Sequence, residues 1–496
     1  MCPGTLARAA VVGLVLRACI SCSAAAALDV LKPCSAREGP GDAYCGLLGV
    51  FEDRQARAGR KIALKIVVLP ALSQRPAADA LFFLAGGPGQ GAAELAATLG
   101  DALKPIQLRR DVVFVDQRGT GHSNPLECKD AETDAQGPPG MPAALAARLR
   151  ACLGQYEGRA DVTRYTTRIA MDDLDDVRAF LGYSTIDLYG VSYGTRAAVA
   201  YASRHGEHVR AAILDGAMPA DMRFPLYMAR DAERSMELLF RDCAREPACQ
   251  RRFPDLPARL RKLLDGLQAH PRHVRFVHPR TGLPREADID RLMVASALFA
   301  SLYSGTTAAL VPMLIEEAEN GDFAGLLALR AAFGPSAETV AKGLEYSVLC
   351  SEDAPGVDPQ ALERASAGTF LGVEAGRAFL EPCGFWPVAK TNDAPAGNGR
   401  LAGIAALVVS GEIDPVTPPS WGAEVAALPW KTSRHVVVPG TGHSHVGPGV
   451  DGGECVVGII SAFLDAGDAS AIDVACAGKA RRPPFLLSPS GPAVTP

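Results

Sequence analysis

The chain has 496 residues, 48% of them hydrophobic, enough for one large core with an insertion or for two or three domains. Its 50 basic and 55 acidic residues leave a formal charge of -5 with no long basic run. That balance excludes an electrostatic footprint for nucleic acid and points to a small-molecule or peptide partner.

Arg8, the apolar run 9–16 and the small residues that follow read as an export leader over residues 1–27, cleaved near 24–27. The run is too short to span a membrane, and no other segment is long and apolar enough, so the mature chain is expected to lack an integral membrane segment. Lipid attachment at Cys19 or Cys22 is the alternative, although Arg17 is a poor neighbour for it. Removing Cys2, Cys19 and Cys22 with the leader leaves ten of thirteen cysteines, an even number that suits disulfides between sequence neighbours in a secreted or periplasmic protein. No close Cys or His pair has zinc spacing, and no cofactor or metal is called for.

Ile62, Leu64, Ile66 and Val68 alternate as a half-buried strand does and, with 47–51, predict an antiparallel start. The runs ALFFLAGGPG and DVVFVDQRG, each ending in glycine, read as buried parallel strands. Ile169, Leu174, Val177, Phe180 and Leu181 have helical spacing before a strand at 186–189, a helix-like TRAAVAYASRHG and a strand at 211–214. This βαβ alternation predicts a mostly parallel, doubly wound α/β sheet. From Met218 the rhythm is helical, and strand patterns return at IAALVVSGEIDPVTPP and SRHVVVPGTGHSHV. The expected organisation is therefore a core in two parts, 28–217 and 399–480, a mainly helical cap at 218–398 that ends in the linker TNDAPAGNG, and a flexible tail at 481–496.

Between the strand 186–189 and the next helix lies GVSYG, a Gly-x-Ser-x-Gly pattern that lifts a serine on a sharp strand-to-helix turn. Ser192 is then the candidate nucleophile. A serine needs a base, and the base needs an orienting acid. Asp414 in GEIDPVTP supplies the acid and His443 in PGTGHSHV the base, both past the ends of predicted strands; Glu412 and His445 are the alternatives by position. Backbone N–H groups for an oxyanion are expected from Tyr193, after the serine, and from Gly87 or Gly86 in AGGPGQG. That loop lacks the Lys-Ser or Lys-Thr of a phosphate-binding loop. Asp116 and Arg118 in DQRGTGHS suggest a buried pair beneath the site, and Phe385 and Trp386 either pocket lining or core.

With these residues in place the chain resembles the α/β-hydrolase fold, and more narrowly the proline iminopeptidase and secreted tripeptidyl aminopeptidase family. GGPG, DQRGTGHS, GVSYG and GEIDPVTP carry the likeness in this order, with CSED at Cys350 and CGFWP at Cys383. The resemblance implies an α/β-hydrolase with an inserted helical cap, acting as a serine exopeptidase on free peptide N-termini, with Ser192, Asp414 and His443 as nucleophile, acid and base. Ala85 stands where iminopeptidases often carry histidine. A free N-terminus is cationic, so the cap is expected to offer carboxylates: Glu352 first, then Asp353 and Glu345. Competing readings are a secreted carboxylesterase or lipase with the same triad, and a non-catalytic binding relative. Nothing in the sequence sets the oligomeric state.

Overall fold

The computed structural model describes residues 29–36, 38–128, 142–278, 281–330, 340–390, 398–447, 450, 452–488 and 491. Residues 1–27, read above as a leader, and most of the linker before Asn398 lie outside them. Nine strands form one sheet: β1 (Lys32–Pro33), β2 (Tyr44–Phe51), β3 (Lys61–Leu69), β4 (Ala80–Leu84), β5 (Val112–Val115), β6 (Ile186–Val191), β7 (Val209–Asp215), β10 (Ala405–Gly411) and β11 (Thr432–Val438), in the order β1-β2-β3-β5-β4-β6-β7-β10-β11. Pairing is antiparallel from β1 to β5, Leu48 facing Leu64, and parallel from β5 to β11. β4, β5 and β10 are buried at every residue, as strands covered on both faces must be, whereas the edge strand β11 alternates. Helices Leu95–Gln107 and Tyr193–His205 make the crossovers that the sequence rhythm predicts.

β7 and β10 are direct neighbours, Ala211 opposite Ala405, yet the chain between them is long. That insertion holds the helices Met228–Arg245, Leu256–Ala269, Arg291–Ser301 and Val311–Glu319 around its own core of Met236, Leu239, Phe253, Leu264, Leu298 and Ile315. It also holds an antiparallel hairpin, β8 (Arg272–Val277) with β9 (Pro284–Ile289), which the helical reading missed. Its exposed, arginine-rich strands bury little, so the alternation of Val274 and Phe276 with polar residues is a weak signal.

The tail is a second correction. Phe485 is fully buried in the insertion's core, stacked under Arg482, and Leu486 N donates to Ala309 O at 3.2 Å, so residues 481–488 are docked rather than loose. One apolar ring in a pocket outweighs the small entropy lost by a proline-stiffened segment.

Disulfides close Cys34–Cys45, Cys128–Cys152, Cys243–Cys249, Cys350–Cys383 and Cys455–Cys476, the neighbour pairing expected. The Cys350–Cys383 bridge lies beside the main junction between insertion and core, where Arg196 donates to both oxygens of Asp353, at 2.9 and 3.0 Å, and to Met222 O. Both side chains are 6% exposed.

Two measurements check these ties. A non-reduced digest should show the five bridged peptides, and reduction should lower the melting temperature, each unstrained loop being worth about 2–4 kcal/mol; ten alkylatable thiols would refute the pairing. Asp353→Asn leaves the Arg196 guanidinium buried without its counter-charge and should cost about 3–5 kcal/mol in denaturant unfolding.

Candidate active site

β6 ends at Val191 and the next helix begins at Tyr193, so Ser192 alone makes the turn, at φ 57° and ψ -125°. The flanking glycines are required sterically: a Cβ at Gly190 would stand 2.3 Å from Gly194 O, and one at Gly194 would stand 2.1 Å from Leu84 O. A left-handed serine costs on the order of 1–3 kcal/mol, which the buried strands on either side hold in place. Ser192 N donates to Asp215 O at the end of β7, 2.9 Å away.

Asp414, fully buried past the end of β10, accepts four hydrogen bonds. Val416 N (2.8 Å) and Thr417 N (2.9 Å) reach Oδ1; Thr417 Oγ1 (2.8 Å) and His443 Nδ1 (2.7 Å) reach Oδ2. Burial acts to raise its carboxyl, but His443 and the two backbone amides outweigh burial and hold it below the ordinary aspartate value. Burial likewise acts to lower the His443 imidazole, and Asp414, with a further contribution from Asp215, raises it above the ordinary histidine value. His443 N donates to Tyr303 O at 2.8 Å, and the Tyr303 ring meets the imidazole edge-on with centroids 5.3 Å apart.

Both alternatives by position are accounted for. Glu412 accepts Gly440 N at 2.9 Å and turns to the end of β11. His445 is fully buried, its Nδ1 2.7 Å from Asp215 Oδ1 and its Nε2 2.8 Å from Thr441 Oγ1. Sequence reasoning missed Asp215 and Thr417. Asp215 ties the serine turn, through its carbonyl, to the histidine loop, through its carboxylate. Thr417 Oγ1 sits 3.1 Å from His443 Nδ1; an Asp followed three residues later by Thr, the pattern of a side-chain-capped turn, was the available signal. Among the described residues no hydrogen bond joins Ser192 Oγ to His443. The two meet across one peptide: a Cβ at Gly216 would lie 3.1 Å from His443 Cε1, next to the carbonyl that holds Ser192 N. Bonds of this kind commonly tighten only when substrate binds.

Gly86 lies against the serine, a Cβ there standing 3.1 Å from Ser192 Cβ, and Gly87 has φ 111°, where only glycine is unstrained. Tyr193 opens its helix, so its N–H has no intrahelical acceptor. The Gly-rich loop is braced by Asp116, which accepts Ala93 N (2.7 Å) and His122 N (2.9 Å). Asp116 therefore does not pair with Arg118, whose guanidinium instead grips Asp173 at 2.6 and 2.9 Å. Trp386 is core, 3% exposed, with Nε1 on Ser347 Oγ.

The acids proposed for a substrate ammonium divide. Asp353 is buried and paired with Arg196, which corrects its expected role, since its charge is already met by a buried guanidinium. Glu352 accepts Thr167 N and Thr167 Oγ1, both at 2.7 Å, capping the helix Thr167–Phe180, and Thr167 Oγ1 accepts in turn from Tyr193 OH at 2.7 Å. Burial pushes the Glu352 carboxyl up. Glu345 pairs with Lys342 at 2.6 Å, and burial, then Asp414 and Glu345, raise the phenol of Tyr303, the ring beside His443, above its ordinary value. Chemically the arrangement is suited to proton removal from a serine and to holding an oxyanion on backbone amides.

A family model for the alpha/beta hydrolase fold matches residues 79–306, and one described as TAP-like protein matches 369–476. Serine protease Hip1 of Mycobacterium tuberculosis is 27% identical over 472 residues, 86% of each chain. Carboxylesterase B of the same species is 28% identical over 464 residues, covering 85% of this chain and 84% of its own. Tripeptidyl aminopeptidase of Streptomyces coelicolor is 30% identical over 190 residues, 36% of this chain and 35% of its own. The parallel sheet, the serine elbow and the two matched segments agree: the chain has the α/β-hydrolase fold, and its sequence is similar to serine protease, carboxylesterase and tripeptidyl aminopeptidase relatives.

Proposed function

We propose that this hydrolase is an exported aminopeptidase that cleaves residues from free peptide N-termini through an acyl-enzyme on Ser192. His443 takes the Ser192 proton as Oγ attacks the scissile carbonyl, and Asp414, ionised throughout, fixes the imidazole and stabilises its cation. Tyr193 N–H and Gly87 N–H receive the oxyanion. The imidazolium returns the proton to the leaving amine, and water then releases the acyl group by the same steps.

The observation that carries the peptide-terminus reading is the way the insertion meets the Gly-rich loop: Val340 bridges to Gln90, and Ala341 N donates to Gly89 O at 2.9 Å. These contacts set the insertion against the loop that faces Ser192, as suits a site that a chain enters end first. The same segment carries Glu345, partly exposed and paired with Lys342, which we take as the acid that meets a substrate ammonium. The serine protease and tripeptidyl aminopeptidase relatives support peptides, and the disulfides support export. The carboxylesterase relative, which matches over most of the chain, supports ester hydrolysis as the second reading.

Ser192→Ala should lower turnover by about 10⁴-fold or more with the fold intact, and a serine-directed phosphonate should label Ser192; residual activity or a label elsewhere refutes the elbow assignment. Because His443 must be neutral to act as base and Asp414 raises its pKa, log kcat/KM should fall with decreasing pH about a midpoint above about 6.5, and Asp414→Asn should move that limb down while costing about 10³- to 10⁴-fold in rate. A peptide amide with a free N-terminus should be cut about 10- to 100-fold better than its N-acetylated form, and Glu345→Gln should erase most of that ratio. Equal cleavage of both forms moves the esterase reading to first place.

A further inference from the structure

A cavity of about 820 Å³ lies inside the insertion, and none of the candidate active-site residues lines it. It opens along one stripe of the helix Met228–Arg245, where Glu233, Glu237, Phe240 and Arg241 recur at helical spacing. The opposite face of that helix serves the active site: Ser235 Oγ donates to Asp414 O at 2.9 Å, and Asp231 accepts Trp421 Nε1 at 2.8 Å. One helix therefore separates the cavity from the acid loop.

The lining of the cavity combines apolar side chains with both signs of charge. Phe253, Leu260, Leu264 and Phe370 supply the apolar part, Glu233 and Glu237 one charge, and Arg261 and Arg291 the other. Glu233 is half-buried and accepts only one backbone donor, Phe370 N at 2.7 Å, among the described residues. Ser366, 4% exposed, lines the same space, and its Oγ is buried without a hydrogen-bond partner among the described residues. Burial and the neighbouring Glu237 push the Glu233 carboxyl up, against the pull of Arg261 and Arg291. A cationic group placed there would offset the Glu233 and Glu237 charges, and a polar ligand group could satisfy the Ser366 hydroxyl.

We propose that this cavity is a second ligand site, specific for a short zwitterion with an apolar side chain: a free amino acid or dipeptide whose ammonium meets Glu233 and Glu237 and whose carboxylate meets Arg261. The volume is more than enough for such a molecule and leaves room for water around it. That this is also the class of product the enzyme releases rests on the aminopeptidase reading; the binding does not.

The test is calorimetric titration of L-leucyl-L-leucine into the full Ser192→Ala chain, which keeps the dipeptide uncleaved. The dipeptide should bind, and its N-acetyl and C-amide forms should bind about tenfold or more weaker. Glu233→Gln and Leu260→Trp, the latter filling the apolar part of the cavity, should each weaken binding at least as much. Glu233→Gln removes no volume, so it keeps the test decisive if the tryptophan variant fails to fold. Glu345→Gln in the same background should leave the Glu233-dependent binding unchanged. No heat at millimolar dipeptide, equal binding of the acetylated form, or binding sensitive to Glu345→Gln but not to Glu233→Gln overturns the proposal. Failure of the aminopeptidase reading would register instead in the cleavage ratio of free and acetylated substrates.

Discussion

The close crossing of β6 over the first turn of the helix Tyr193–His205 is the constraint on which the rest of this site depends. With Gly194 pressed against Leu84 O and Gly190 against Gly194, no side chain fits between strand and helix, and the chain reverses in a single residue. That residue is forced to a positive φ, which turns its side chain away from the sheet. The same crossing brings Gly86, at the end of β4, against Ser192, so the turn that exposes the serine and the loop that offers backbone amides are packed on one another. Backbone strain of a few kcal/mol is sustained because β4, β6 and β7 are buried almost throughout.

A second regularity follows from placing three loops at one edge of a parallel sheet. Asp116 follows β5, Asp215 ends β7 and Asp414 follows β10; each is fully buried, and each accepts backbone N–H groups from a loop. An ionised carboxylate has acceptor sites enough to join two segments. What differs is the partner. Asp414 holds an imidazole and is kept ionised by it, whereas Asp116 has only amides and burial raises its carboxyl. Of the three, Asp414 alone is hydrogen-bonded to His443; Asp116 and Asp215 brace the loops on either side.

The insertion reaches each part of this edge through a separate contact: Tyr303 O on His443 N, Ser235 Oγ on Asp414 O, and Ala341 N on Gly89 O. The buried Arg196–Asp353 pair fastens it to the helix that starts at the serine turn. Sheet-edge loops thus set the chemistry, and the insertion sets the shape of the approach. A polar junction is expensive to desolvate but directional, which suits an element that must be held in register with three loops at once.

Much of this was legible in the sequence because its signals are local. The continuous apolar runs forced buried parallel strands, the Gly-x-Ser-x-Gly spacing forced the elbow, and the order of Ser192, Asp414 and His443 with the glycine loops marked the sheet edge. What stayed hidden depended on which distant groups meet. Nothing local distinguished His443 from His445; Asp414 and Asp215, more than two hundred positions apart from their partners in one case and under thirty in the other, selected between them. Asp353 and Glu352 are adjacent carboxylates in sequence, and only Arg196 and Thr167, brought alongside by folding, gave them different work, whereas Glu345 meets Lys342 three positions away on its own helix. The sequence by itself determined the architecture and the chemical types at the sheet edge, since steric and hydrophobic periodicity act over a few residues. Tertiary structure decided how each charge is partnered, since burial and electrostatic pairing exist only once remote segments have packed.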